Sequence, residues 1–233
     1  MVVSLQELAE NAVHFGHKTS RWNPKMKKYI YGSVKGIHVF DLNKTADQLK
    51  KVVLKIEDLA TKGKTILFVS TKPQTKALLE EFQESTGYPI VTNKWVGGMM
   101  TNFETIKGRI KKMKDYEAMI ESGEIEKYTK KEISKIEKSL AKLQEAFSGI
   151  RDMFKAPDAI FIIDGKRDLN ALLEAKRLKI PVYGIADTNV DPDNYDIVIP
   201  ANDDAISSLA LILSYVFEAA KNNPRLARQA EKK

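Results

Sequence analysis

The chain has 233 residues, of which 43% are hydrophobic, so it is long enough for one sizeable α/β domain with an appendage. The absence of cysteine excludes disulfide scaffolds, cysteine-based zinc fingers and thiol catalysis. A formal net charge of +7 favours an anionic partner such as nucleic acid.

Strands and helices are predicted to alternate along most of the chain. Ser4 and Glu7 predict a capping box at the start of a short first helix. Strands are predicted at residues 36–42, 65–71, 88–92, 158–164, 180–187 and 196–200, with helices at 44–61, 73–84, 168–179 and 204–220. This alternation predicts an α/β fold with a doubly wound, flavodoxin-like parallel sheet of about five strands.

Residues 104–148 interrupt the alternation. Apolar residues recur there at intervals of three and four, as in a coiled-coil seam, at Ile133, Ile136, Leu140, Leu143 and Phe147. A looser stripe at Ile106, Ile110, Met113 and Ile120 would face it. The sequence therefore predicts an antiparallel coiled-coil helical hairpin at 104–148, inserted into an α/β domain made of 1–103 and 149–220, with a flexible tail at 221–233.

Charge is distributed unevenly. Residues 14–36, predicted to form a basic loop, contain six cations and no acid, whereas residues 180–220 contain seven acids and no base. The stretch "HFGHKTSRWNPKMKKYIYG" (14–32) combines cations that can bind phosphates with aromatic rings that can stack on bases. Its candidate RNA-binding residues are Lys18, Arg21, Trp22, Lys25, Lys27, Lys28 and Tyr31. The alternative is an ordinary solvated loop.

The segment "WVGGMMTNF" (95–103) is a second candidate. Paired glycines permit close approach of the backbone, so its amides and small polar groups could contact phosphates. The first turns of the hairpin that follow are basic. The candidate RNA-binding residues here are Trp95, Gly97, Gly98, Thr101, Asn102, Lys107, Arg109 and Lys111. The alternative is a tight entry into the hairpin.

Aspartates gather at predicted carboxyl ends of strands, where parallel sheets bind ligands. His17, Asp187 and Asp204 could hold a divalent metal such as zinc, although no cofactor is required. The alternative is that Asp203 or Asp204 caps the last helix. The "KGKT" stretch (62–65) lacks the spacing of a phosphate loop, and Gly63 is predicted to end a helix.

Several motifs, in order and over residues 1 to about 220, resemble the bacterial type of small-subunit ribosomal protein S-two. They include "VHFGH" (13–17), "WNPKM" (22–26), "ILFVSTK" (66–72), "WVGGMMTN" (95–102), "GIRDM" (149–153), "PDAIFIID" (157–164), "EAKRLKIPV" (174–182), "DTNVDPD" (187–193) and "IPANDDAI" (199–206). The resemblance implies a five-stranded parallel sheet with a coiled-coil hairpin, in a non-enzymatic protein that contacts small-subunit ribosomal RNA and neighbouring ribosomal proteins.

The resemblance also makes ribosomal protein S-one a candidate partner. A cytoplasmic, ribosomal location is expected, with neither membrane association nor homo-oligomers. The sequence has no secretory leader and no apolar run of about 18 residues. An alternative function is that of a metal-dependent α/β enzyme acting on phosphorylated or nucleotide substrates, suggested by the aspartates and His17.

Overall fold

A computed structural model describes residues 3–224 of the protein. In chain order its helices and strands are α1 Leu5–Glu10, β1 Phe15–Lys18, β2 Ile30–Val34, β3 Ile37–Phe40, α2 Leu42–Thr61, β4 Ile66–Val69, α3 Pro73–Thr86, β5 Ile90–Val91, α4 Phe103–Glu121, α5 Lys130–Phe147, β6 Ala159–Ile162, α6 Leu169–Arg177, β7 Val182–Ala186, β8 Ile197–Pro200 and α7 Ile206–Ala220. Short 3-10 helices lie at Thr19–Arg21, Pro24–Tyr29, Glu124–Lys127, Ser148–Ile150 and Pro192–Asn194.

Five of the strands form one parallel sheet in the order β5-β4-β6-β7-β8. Numbered within the sheet, this is the 2-1-3-4-5 order of flavodoxin-like folds, so the predicted fold class is confirmed. The central strands are apolar throughout because both faces of the sheet are covered. The crevice of such a fold lies where the strand order reverses, at the carboxyl ends of β4 and β6.

Side chains alternate between the two faces of this sheet. Phe68, Phe161 and Ile185 belong to a buried cluster with side chains of α1, α2, α3 and α7. Leu67 and Ile162 point the other way, into a cluster with α6 and the inner ends of α4 and α5. The sheet is therefore doubly wound, as the alternation of strands and helices predicted.

In place of the loop predicted at 14–36, the structure has strands β1 and β2, joined by two 3-10 helices, which form an antiparallel sheet with β3. Strands β1, β3 and β2 pair antiparallel in that order, so the predicted strand at 36–42 does not join the parallel sheet. Lys35 and Gly36 have φ of 50° and 78° between the paired residues Val34 and Ile37. Two positive φ values are typical of a two-residue hairpin turn. The prediction failed because Lys-Gly is a weaker turn signal than Asn-Gly.

Helices α4 and α5 lie within the predicted hairpin and contact each other. Leu140, Leu143 and Phe147 are buried, whereas Ile133 and Ile136 farther out are half-exposed. The buried part of the seam belongs to the cluster that includes Leu67 of the parallel sheet. The root of the hairpin, meaning the start of α4 and the end of α5, is thus part of the core cluster on that face of the parallel sheet. Coiled-coil geometry and the division into three units remain predictions.

Three further features follow from the sequence. Ser4 accepts a hydrogen bond from the Glu7 amide at the start of α1, as predicted. Gly63 follows α2 with φ of 66°, consistent with its predicted role at the end of that helix. Most of the predicted tail, residues 225–233, lies outside the described residues. Within residues 3–224, no helix combines the length and apolarity needed to cross a bilayer.

Candidate functional site

The three-stranded sheet exposes most of the predicted basic and aromatic side chains. Tyr31 is 84% exposed, and Lys18, Arg21, Lys27 and Lys28 are also exposed. Within residues 3–224, none of these four cations forms an ion pair with an acid. Their charges therefore remain available to an external anion.

Trp22 and Lys25 are less available than their neighbours. The Trp22 ring is half-buried and lies 5.0 Å, between centroids, from the ring of His38. The Nζ atom of Lys25 lies 2.8 Å from Asp191 and 2.9 Å from Asp193. The hydrogen bond to Asp191 is the main cause that raises the pKa of Lys25 to about 12. The acid-rich and base-rich ends of the chain thus meet and partly neutralise each other.

The segment 95–102 wraps around one carboxylate, that of Glu174 in α6. Glu174 Oε1 accepts hydrogen bonds from the Trp95 indole (3.0 Å) and the Gly98 amide (2.8 Å). Its Oε2 accepts from the Met100 amide and from both the amide and the hydroxyl of Thr101, each at 3.0 Å. Burial raises the pKa of Glu174, but these hydrogen bonds outweigh it and hold that pKa below its ordinary value. One side chain therefore shapes the whole segment.

This arrangement separates the predicted RNA-binding residues of the second candidate into two groups. Trp95 is buried, and the amides of Gly98 and Thr101 already donate to Glu174. Gly97, Asn102, Arg109 and Lys111 are exposed, whereas Lys107 pairs with Glu104 at 3.0 Å. RNA contact by either group remains a prediction, and the exposed group is the one with free donors.

The aspartates at the carboxyl edge of the parallel sheet surround the ammonium of Lys72. This residue lies between β4 and α3 and is 6% exposed. Its Nζ atom lies 3.1 Å from Asp164, 2.8 Å from Asp203 and 2.8 Å from Asp204. The crevice that the fold would offer to a ligand thus contains a cation of the chain itself.

The pKa values of Lys72 and Asp203, which form a buried ion pair, are both raised, as expected for one ammonium among several acids. Burial lowers the pKa of Lys72, but attraction to Asp203 and its neighbours outweighs it, so the pKa is raised overall. The pKa of Asp203 is raised to about 7, mainly by burial and further by repulsion from Asp164 and Asp187, while Lys72 opposes the increase. Lys72 alone does not compensate all the carboxylates at neutral pH.

His17 reaches the same edge, as the metal hypothesis requires. Its Nδ1 lies 2.9 Å from Asp187 Oδ2, and its amide donates to Asp187 Oδ1 at 3.2 Å. The hydrogen bond to Asp187 raises the pKa of His17, and burial opposes the increase. The three residues whose ligand atoms lie within 4.8 Å of one another are His17, Asp187 and Asp203.

The predicted third ligand, Asp204, lies to one side of that group. Its Oδ2 is 3.6 Å from His17 Nε2, and its Oδ1 binds Lys72. The capping alternative is wrong for both Asp203 and Asp204, because α7 begins after Ala205 with no side-chain cap. The adjacent amides of Asp204 and Ala205 donate to Asn202 instead.

Sequence reasoning missed Lys72 and Glu174, the two residues that organise these clusters. Lys72 follows a predicted buried strand, as Asp187 does, so the same argument from strand ends could have included it. Glu174 had a weaker signal, because a single carboxylate on an amphipathic helix is usually solvated.

These features define an α/β protein with a doubly wound parallel sheet, an appended three-stranded sheet and a helical hairpin. A profile of the family described as Ribosomal protein S2 matches residues 8–223. The chain is also 46% identical over 218 residues to the Small ribosomal subunit protein uS2 of Coprothermobacter proteolyticus, covering 94% of this chain and 81% of that protein. The chain belongs to the ribosomal protein S2 family, a family of ribosomal proteins and not of enzymes.

Replacing Glu174 by glutamine is expected to lower the free energy of unfolding by about 2 kcal/mol, because an amide NH2 would face donors that now share a carboxylate oxygen. Since the folded-state pKa of Glu174 lies below its unfolded value, its contribution is complete above that unfolded value and disappears as the pH falls through the folded one. The difference between variant and wild type should therefore shrink below about pH 4. Urea denaturation at several pH values measures it.

The matched control for that change is Glu137→Gln, on the exposed face of α5. It should change stability by less than about 0.5 kcal/mol at every pH. Equal effects of the two substitutions would show that Glu174 does not organise the segment 95–102.

Replacing Lys72 by methionine is expected to lower the free energy of unfolding by about 3 kcal/mol or more, because three carboxylates would lose their common cation. Adding Asp203→Asn should restore part of the loss, since it removes one of the uncompensated charges. Chemical denaturation of the two single variants and the double variant measures the coupling. Lys76→Met in α3, the helix that follows Lys72, is the control, and a near-neutral Lys72→Met would contradict the assigned role.

Proposed function

We propose that the protein is a structural constituent of the small ribosomal subunit that binds ribosomal RNA through its basic three-stranded sheet. Family membership supports this assignment. The observation that carries the RNA-binding surface is that Lys18, Arg21, Lys27 and Lys28 are exposed without an acid partner among residues 3–224, in the same segment as the exposed ring of Tyr31. Such cations bind phosphates, and such rings stack on unpaired bases.

The proposal includes a ribosomal, cytoplasmic location and contacts with other small-subunit proteins, with ribosomal protein S-one as one candidate. Asp193 and Asp196 are exposed acidic residues in the connection between β7 and β8, where Asp193 pairs with Lys25 and Asp196 accepts a hydrogen bond from the Val182 amide at the start of β7. A protein partner with basic groups fits that part of the surface better than RNA does, because phosphates and carboxylates repel each other.

The alternative, a metal-dependent enzyme acting on phosphorylated substrates, has less support. A flavodoxin-like fold binds its ligand at the carboxyl ends of β4 and β6. Here Lys72 lies at that place and pairs with Asp164 from β6. A substrate or metal would have to displace this buried ion pair before any chemistry could begin.

Replacing Lys27 and Lys28 together by alanine is expected to weaken association with the small subunit and to reduce the slope of log K against log salt by about two units, one for each lost phosphate contact. Lys25→Ala should reduce the slope less, because Asp191 and Asp193 already neutralise that ammonium. Rebinding of the purified protein to small subunits depleted of it, at several salt concentrations, gives both slopes.

If the slope of log K against log salt is unchanged in the Lys27 and Lys28 variant, these lysines do not contact RNA phosphates. A larger effect of Lys25→Ala than of the double change would show that the intramolecular pairs open in the complex.

We further propose that His17, Asp187 and the neighbouring Asp203 and Asp204 bind a divalent ion only weakly. The ligand atoms are present, but Lys72 already supplies positive charge to the two latter carboxylates. After dialysis against zinc and removal of free metal, elemental analysis should find little zinc in the wild type and more in Lys72→Met. No zinc in either protein would show that this cluster does not bind the metal.

A further inference from the structure

A cleft of about 320 Å³ lies at the root of the helical hairpin. Its walls come from the segment 95–102, from the first two turns of α4 and from the end of α5. Ligand-binding pockets begin at about 300 Å³, so this cleft is large enough for one small planar group and too small for a folded element.

Part of the lining of the cleft is apolar and includes one aromatic ring. Val96, Ile106 and Phe147 provide it, and Ile106 and Phe147 belong to the core cluster at the root of the hairpin, which holds them in place. Gly97 borders the cleft without a side chain, and a Cβ atom built there meets no atom within 4 Å. The backbone at this point is therefore open to close approach by a ring.

The rest of the lining includes polar and basic side chains. The Thr105 hydroxyl donates to Asn102 Oδ1 at 2.9 Å, so the Asn102 amide group keeps two donors for another partner. Arg109 lines the cleft and is exposed, and within residues 3–224 it forms no ion pair. Lys111 and Lys112 on the same helix are also exposed.

We propose that this cleft binds one unstacked nucleotide of ribosomal RNA, with the base against the apolar lining and its phosphate on Arg109. The combination of an apolar lining with the Phe147 ring, amide donors of Asn102 and the guanidinium of Arg109 matches the base face, base edge and phosphate of a nucleotide. An acidic peptide would satisfy Arg109 but would leave the apolar lining without a planar partner. The inference rests on the proposed RNA-binding function and names a second point of contact, apart from the basic sheet.

The experiment compares two variants. Gly97→Val adds a branched side chain at a residue that lines the cleft, and Gly108→Val adds the same atoms at an exposed residue of α4 that does not line the cleft. Both positions have open space for a Cβ, and neither has a positive φ. Small subunits depleted of the protein are reconstituted with wild type or each variant. Affinity is measured by sedimentation, and acylation of 2′-hydroxyls reports unpaired nucleotides.

Gly97→Val is expected to lower the affinity about tenfold, the effect of losing one base-stacking contact. Its salt slope should fall by no more than about one unit, because the single phosphate assigned to this cleft is the one on Arg109. One nucleotide should be protected by the wild type and by Gly108→Val, but remain reactive with Gly97→Val. Thermal unfolding of the variants checks that each is folded.

Wild-type affinity and protection with Gly97→Val would overturn the proposal while leaving the proposed function intact. The same holds if Gly108→Val weakens binding equally, or if affinity falls without a change at any single nucleotide, since the occupant is then not a nucleotide. Failure of the wild type to rebind depleted subunits would instead overturn the proposed function itself.

Discussion

The carboxyl edge of the parallel sheet depends on the ion pairs that the Lys72 ammonium forms with aspartates. This ammonium contacts carboxylates that follow β6 and β8, while the Lys72 backbone joins β4 to α3. Two of these carboxylates, Asp164 and Asp203, are buried, and burying each of them without a cation would cost several kcal/mol, by rough estimate. Lys72 therefore links residues that follow three parallel strands, at an edge where the carboxylates would otherwise repel one another. His17 extends the same network to Asp187 after β7 and so anchors the basic sheet there.

This anchoring determines which charges face outward. Lys25, in the 3-10 helix Pro24–Tyr29, is held against Asp191 and Asp193 in the connection between β7 and β8. Lys27, Lys28 and the other exposed cations of 14–36 have no such partners within the described residues. A basic surface is thus produced by neutralising part of the chain internally, and net charge alone does not show where that surface lies.

The fold was more predictable from the sequence than the site was. Continuous apolar runs such as residues 65–71 identify buried parallel strands because both faces of the sheet are covered, and this local signal suffices. The antiparallel pairing of β2 with β3 joins residues that alternate poorly and meet through a Lys-Gly turn, so no local pattern reveals it. The placement of Lys72 among Asp164, Asp203 and Asp204 depends on strand order, which only the tertiary structure provides.

Glu174 shows why a glycine-rich segment cannot be assigned to phosphate binding from its sequence. A carboxylate and a phosphate both accept hydrogen bonds from clustered amides, so the same backbone geometry suits either anion. In this protein the anion comes from α6, and the amides of Gly98, Met100 and Thr101 are already used. The internal anion holds the segment in one conformation, which leaves Gly97 and Asn102 beside the cleft at the root of the hairpin. Any external ligand there must be recognised by the groups that Glu174 leaves free.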